Sequence, residues 1–469
     1  MTGQVTGGDL TVESTAREMA RAVRERQISA RELLELHLDR IEERNGEVNA
    51  IVSLDAERAR ASAAAADEAL AAGNPVGPLH GLPFAVKDTH LVAGWRTTFG
   101  SPLHADFVPD ADSLAVERIR DAGVVLLGRT NVPEFAAGSH TFNTIFGTTR
   151  NPADLSRSAG GSSGGAAAAL AAGMVPLADG SDMGGSLRNP ASFCGVVGLR
   201  PSLGRVPDWP ALNHWETLGV TGPMGRTVGD VALLLSVMAG PDARAPQALA
   251  DPGATFASPG TASLQGLRVA SSVDLGGAFE VDHEVEALHE VAGKVFTGHG
   301  ARVSAAYPDL GEAEDTFRTL RAWHFWAVHG EALAANPDSF KPSLAENIRA
   351  GESLTGKDVA RAYLQRTALS HRMREFFTSY DVLVMPVSQV PPFPAGEEFP
   401  TVINGRPMTD YLDWMRSAYL ITVTGCPAIA VPAGLTPDGL PVGVQIVAPH
   451  GADRRLLEVA AAFESAVGR

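Results

Sequence analysis

Residues 158–188 read SAGGSSGGAAAALAAGMVPLADGSDMGGSLR. Two glycine-serine clusters, GGSSGG at 160–165 and DMGGS at 182–186, bracket a run of small apolar residues. The Ala-rich stretch 166–173 predicts a buried helix, and MVPLA, 174–178, a buried strand. A helix followed at once by a strand, both apolar, belongs to a sheet covered by helices. A flexible linker does not lead straight into an apolar helix deep in a folded domain. A Walker-type phosphate loop ends in Gly-Lys-Ser/Thr, whereas GGSSGG runs into alanines, and G-x-G-x-x-G is absent. What remains is a nucleophile site. Glycine runs let backbone amides converge on one point, and acyl transfer needs such amides aimed at a developing oxyanion.

Working outward, the chain alternates helix and strand. Thr11 to Gln27 has helical apolar spacing, and Ser29 with Glu32 forms a capping box for a second helix that Asn45-Gly46 ends. FAV, 84–86, is a short apolar strand directly before Lys87; DADSLAVERIRDAG is a capped helix; VVLLG, 124–128, is a buried strand. VGDVALLLSVMAG, 228–240, is a strongly apolar helix. LRVASSV (267–273), DVLVMPV (381–387), AIAVPAG (428–434) and VGVQIVA (442–448) are strand-like, and RRLLEVAAAFESAV closes the chain as an amphipathic helix. Segments 241–264 and 391–406 have loop composition, and disorder is expected only over roughly the first ten residues. The pattern implies an α/β fold with helices on both faces of a buried sheet.

Bulk properties narrow the function. The 469 residues, 45% apolar, can bury a large core. A formal net charge of −16 argues against a nucleic-acid or anionic-membrane partner. Two cysteines, Cys194 and Cys426, make no disulfide framework. The first 25 residues hold no apolar signal segment, and the longest mostly apolar run, 166–178, is too short to span a bilayer. The expectation is a cytoplasmic protein.

The stretch 160–202, GGSSGGAAAALAAGMVPLADGSDMGGSLRNPASFCGVVGLRPS, resembles the signature of the amidase signature family. FAVKD at 84–88 resembles that family's lysine segment, and GRTNVPEFA, FGTTRNP and TGCPAIAVPAGLTPDGLPVGVQIVA at 424–448 extend the likeness along the chain, most weakly between about 245 and 375. The resemblance implies one large domain around a central mixed, twisted sheet. Within it, 1–75 would be an N-terminal helical segment, 76–240 the catalytic core, 241–410 a variable substrate-side region and 411–469 a return to the core.

It also implies a Ser–cis-Ser–Lys triad. Ser186 matches the nucleophile, Ser162 the bridging serine 24 residues upstream, and Lys87 the base. The amides of Met183, Gly184, Gly185 and Ser186 match the oxyanion hole. Ser163 is expected to hydrogen-bond within its loop. Asp182 and Arg188 are expected to pair, either to fix the oxyanion turn or as a plain structural ion pair. Burial must lower the Lys87 pKa from about 10.4 if its amine is to take a proton. Ser181, Leu187 and Arg200 stand where the family often has Thr, Ile and Lys, and leave the triad intact.

Cys194, in apolar SFCGVV, is expected to be buried and inert. The thirteen histidines are scattered, with His283 and His289 on an exposed helix and no H-E-x-x-H, so neither metal nor cofactor is expected. Trp209 and Trp215 in 205–219, with Tyr411, Trp414 and Tyr419 in 409–420, are either an aromatic pocket wall or core. As a wall they would favour aryl or hydrophobic acyl amides, with carbamates and esters open to the same chemistry.

The partner is then a small-molecule amide, and a homodimer is compatible with the sequence. Two alternatives stand beside a free-standing amidase. One is the glutaminase component of a tRNA-dependent amidotransferase, a branch that usually carries S-S-L-D-Q-I-G-P where this chain has WETLGVTGPMGRT, and Gln where it has Asn189. The other is an inactive binding protein on the same scaffold, which the intact Lys87, Ser162 and Ser186 oppose.

Overall fold

A computed structural model describes residues 10–260 and 263–468. The disorder expected over roughly the first ten residues falls, Leu10 apart, outside them. Eleven strands form one mixed sheet: β1 (Ile51–Leu54), β2 (Pro83–Lys87), β3 (Val125–Thr130), β4 (Leu177–Asp182), β5 (Val197–Arg200), β6 (Val220–Gly225), β7 (Arg268–Ser271), β8 (Arg302–Ala305), β9 (Val382–Pro386), β10 (Ala428–Leu435) and β11 (Pro441–Val447). Their order across the sheet is β1-β3-β2-β4-β6-β5-β10-β11-β9-β7-β8. β2 runs parallel to both β3 and β4, while β4 to β6, β6 to β5 and β5 to β10 are antiparallel. Residues 268–386 therefore complete the same sheet, as β7, β8 and β9, rather than building a separate one.

Strand alternation sends neighbouring side chains to opposite cores. Phe84 and Val86 join a cluster with Met19, Val231, Leu235 and Phe463. Ala85, between them, joins Leu34 and the alanines of the helix Gly164–Ala171 on the other face. A third cluster, from Phe317, Leu383, Trp414 and Tyr419, lies under the β9–β11 end. The helix Gly164–Ala171 is buried all round except at Ala171, which explains its composition. A Cβ at Gly165 would lie 2.3 Å from the Asn131 nitrogen, so only glycine lets this helix seat against the end of β3.

Several boundaries differ from expectation. The first helix is Ala16–Arg24, capped by Thr15 and Glu18. The capping box of Ser29 and Glu32 forms, but that helix passes Asn45-Gly46 and runs to Val48, stopping at Asn49 in the left-handed region at φ 55. Gly46 is tolerated inside a helix whose buried residues, among them Ile41 and Val48, continue the stripe. The strand expected over MVPLA begins at Leu177 instead, because Ala172 caps the helix and Gly173, at φ +73, and Pro176 occupy the turn. His289 is buried rather than exposed: its helix, His283–Gly298, packs on the sheet, and its Nε2 lies 3.2 Å from Ser271 Oγ and 3.3 Å from the Val384 carbonyl. Among the described residues no helix is long and apolar enough to cross a membrane.

Candidate active site

Lys87 ends β2, where its N–H donates to Asp179 Oδ1 of β4 at 2.9 Å. The side chain is wholly buried. Its Nζ lies 2.9 Å from each of three hydroxyl oxygens, those of Ser162, Ser163 and Ser181. Burial pushes the ammonium down to about 7, against the opposing pull of the Asp179 and Asp182 carboxylates. Near neutral pH the amine therefore exchanges between donating three hydrogen bonds and holding a lone pair able to take a serine proton.

The first glycine-serine cluster reaches this lysine through Ser162 and Ser163, and Ser181, directly before the second cluster, reaches it as well. The Gly161–Ser162 peptide is cis. Ser139 Oγ donates to the Gly161 carbonyl at 2.6 Å, and Asn189 Nδ2 donates to Ser139 Oγ at 2.8 Å, so the helix Arg188–Cys194 holds the first loop. The Ser163 N–H donates to the Ser186 carbonyl at 3.2 Å and joins the first loop to the second. Ser162 and Ser186 are both buried, at 1% and 6% exposure, with Ser186 the more open of the two.

Asp182 organises the second loop. Its carboxylate accepts from the Gly185 N–H at 2.9 Å, the Leu187 N–H at 3.2 Å, Arg188 Nε and Nη2 at 3.0 Å each, and Arg200 Nη1 at 3.2 Å. Burial would raise this carboxyl group, but the two guanidiniums hold it well below the usual carboxylate range. Gly185 is at φ +110, and a Cβ there would come within 2.6 Å of Ala418 Cβ. The expectation of four oxyanion amides changes at Gly185, whose N–H is committed to Asp182. Gly184 and Ser186 have no acceptor for theirs among the described residues. Arg188 also reaches the Ala418 carbonyl at 3.0 Å and Gln445 Oε1 at 2.8 Å, which locks the turn to β11.

A cavity of about 610 Å³ opens beside Ser181, lined by His90, Phe99, Phe135, Leu212, Val328 and His329, among others. None of the five aromatics expected as a wall lines it. Trp209 stacks under Arg244, and Trp215 is 66% exposed. Tyr411 accepts a 2.7 Å hydrogen bond from Arg321, Trp414 packs against Phe193, and Tyr419 stacks on Phe317 at 4.4 Å, all buried. The 409–420 segment thus serves as core behind the Ser186 loop. The cavity's own aromatics come from 99 and 135, where Phe135 stacks on Phe99 and lies 4.5 Å from His329.

The Amidase family profile matches residues 32–457. The chain belongs to the amidase signature family. As an amidase it is an amide-hydrolysing enzyme, acting on carbon–nitrogen bonds. It is 38% identical to an acylamidase from Rhodococcus erythropolis over 96% of this chain and 95% of that one. It is 36% identical to one of the subunits of glutamyl-tRNA(Gln) amidotransferase from Synechococcus sp. (strain CC9605), over 94% of each chain. A bacterial aryl acylamidase of the same family superposes with a TM-score of 0.90 at 33% identity, covering 97% of this chain and 96% of that one.

Ser139 and Asp179 are not singled out by the sequence as site residues. Each reaches it through a contact between segments distant in the chain. Cys194 is buried as expected, its thiol 3.5 Å from the Ala159 carbonyl and pushed far up by burial.

Proposed function

We propose that Ser186 is the nucleophile, Ser162 the bridge and Lys87 the base in hydrolysis of aryl or hydrophobic acyl amides. What carries this reading is the buried Lys87 amine, 2.9 Å from Ser162 Oγ and pushed to about 7 by burial. The neutral amine takes the Ser162 proton as Ser162 takes that of Ser186, and Ser186 Oγ bonds to the substrate carbonyl carbon. The amides of Met183, Gly184 and Ser186 receive the oxyanion. As the C–N bond breaks, the relay returns the proton to the leaving amine. Water then attacks the acyl-enzyme by the same relay and releases the acid.

The preference for aryl groups draws on the cavity. Phe99, Phe135, Leu212 and Val328 offer an apolar, partly aromatic surface next to the base. The acylamidase and aryl acylamidase likenesses favour the same class. Two buried free thiols, Cys194 and Cys426, suit a reducing cytoplasm. A panel of aryl amides, aliphatic amides, carbamates and esters tests the reading, with Ser186→Ala as blank. Aryl amides are expected to turn over fastest and to lose all turnover in the blank. Fluorophosphonate labelling that survives Ser186→Ala would overturn the nucleophile assignment.

A further inference from the structure

His90 follows Lys87 by three residues, in a turn closed by its own N–H donating to the Lys87 carbonyl at 3.0 Å. Its ring lines the cavity, with 12% of the side chain exposed, and its Nδ1 hydrogen-bonds Asp179 Oδ2. Asp179 is fully buried, and its other oxygen holds the Lys87 N–H. One carboxylate thus joins the main chain of the base to a ring facing the substrate space. Arg129 of β3 braces the same turn: its guanidinium donates to the Lys87 carbonyl at 3.1 Å, to the His90 carbonyl, and to Asp88 at 3.3 Å. The relay chemistry requires none of these groups.

We infer that His90 and Asp179 form a positioning pair for Lys87, which fixes its main chain and sets, through the Asp179 carboxylate and its hydrogen bond to His90, the pH at which its amine becomes a base. The inference rests on Lys87 being the base. Two carboxylates favour the ammonium form of Lys87, Asp179 and Asp182. Asp182 is already offset by Arg188 and Arg200. Asp179 is offset by His90 first and then by Arg129, which Asp88 occupies in turn. Asp208 acts on His90 from the cavity side. The Asp179 carboxylate and the His90 ring that hydrogen-bonds it therefore push the lysine in opposite directions.

Profiles of kcat/KM against pH for p-nitroacetanilide test this in wild type, Asp179→Asn and His90→Gln. Asparagine keeps an acceptor for the Lys87 N–H and removes the charge, so the acidic limb is expected to move down by about one unit. Glutamine keeps an N–H donor for Asp179 but a weaker one than the imidazole, leaving more of the carboxylate's charge to act on the lysine, so the limb is expected to move up by roughly half a unit. A structural role alone would lower the rate in both variants and leave the limb in place. That result, or two shifts of the same sign, overturns the pair. If Asp179→Asn does not accumulate as folded protein, His90→Gln decides alone: an upward shift supports the pair, and an unmoved or lowered limb overturns it. Lys87→Ala separates the two levels. Lost turnover there with unmoved limbs in the others sinks only the pair; near-normal turnover sinks the base assignment itself.

Discussion

The proposed chemistry, with Ser186 as nucleophile and Lys87 as base, concentrates in a few atoms around the Lys87 amine. Ser186→Ala is expected to reduce amide turnover by about 10³-fold or more, as loss of a nucleophile does in other serine hydrolases; steady-state assay with p-nitroacetanilide reads it. The base must be neutral to act, so kcat/KM should fall about tenfold per pH unit below about 7, the value to which burial brings Lys87. Phe135 lines the cavity, and the proposed aryl preference is tested there. Phe135→Ala should raise KM for anilides several-fold and leave small aliphatic amides nearly unaffected; paired KM measurements check this. Lys87, Ser162 and Ser186 stood out as a candidate triad only through the family resemblance of 84–88 and 160–202, and the structure brings the first two within 2.9 Å of each other. Ser139 and Asp179 were not legible, because an isolated serine and an aspartate inside a strand carry no local mark of the partners that folding brings to them.

At the level of elements, the turn after β4 is held by one buried carboxylate between two guanidiniums. Asp182→Asn removes the charge that both arginines face, and leaving buried cations unpaired costs roughly 3–5 kcal/mol. A large drop in the denaturant midpoint is the expected reading, with activity lost in whatever remains folded. The capping box at Ser29 is a milder case: Ser29→Ala should cost about 1 kcal/mol and leave kinetics unchanged, since its hydrogen bonds only close an exposed helix end. Element types followed from periodicity wherever a helix or strand buried one clear face. The boundaries that slipped, at Val48 and at Leu177, lie where packing overrode the glycine and proline signals. The cavity wall slipped for a related reason. Aromatics in a loop-like stretch look alike whether they face a pocket or a core, and only the docking of 409–420 behind the Ser186 loop separates the two.

Across the whole molecule, β4 carries Asp179, Ser181 and Asp182 within six residues and sits near the middle of the sheet, flanked by β2 and β6. The fold class was readable from alternating helices and strands. The strand order was not, because β10 and β11 enter the centre from the far end of the chain and no local pattern announces that pairing. The long helices Ala313–Ala335 and Gly356–Ser379 were not expected either; they lie in the region where the family likeness was faintest.

The burial of Lys87 has a thermodynamic face as well as a catalytic one. The folded protein releases the lysine proton at about 7, whereas an unfolded chain keeps it to about 10.4. Between those values the unfolded state binds the extra proton, so this residue makes the native state more stable as pH rises and penalises it as pH falls. A Lys87→Met variant lacks that dependence. The difference in melting temperature between wild type and Lys87→Met should therefore shift in favour of wild type from pH 7 toward pH 10, which calorimetry at several pH values can follow. One nitrogen thus sets two adjoining pH windows: acidification first withdraws native stability down to about 7, and below that value it withdraws activity.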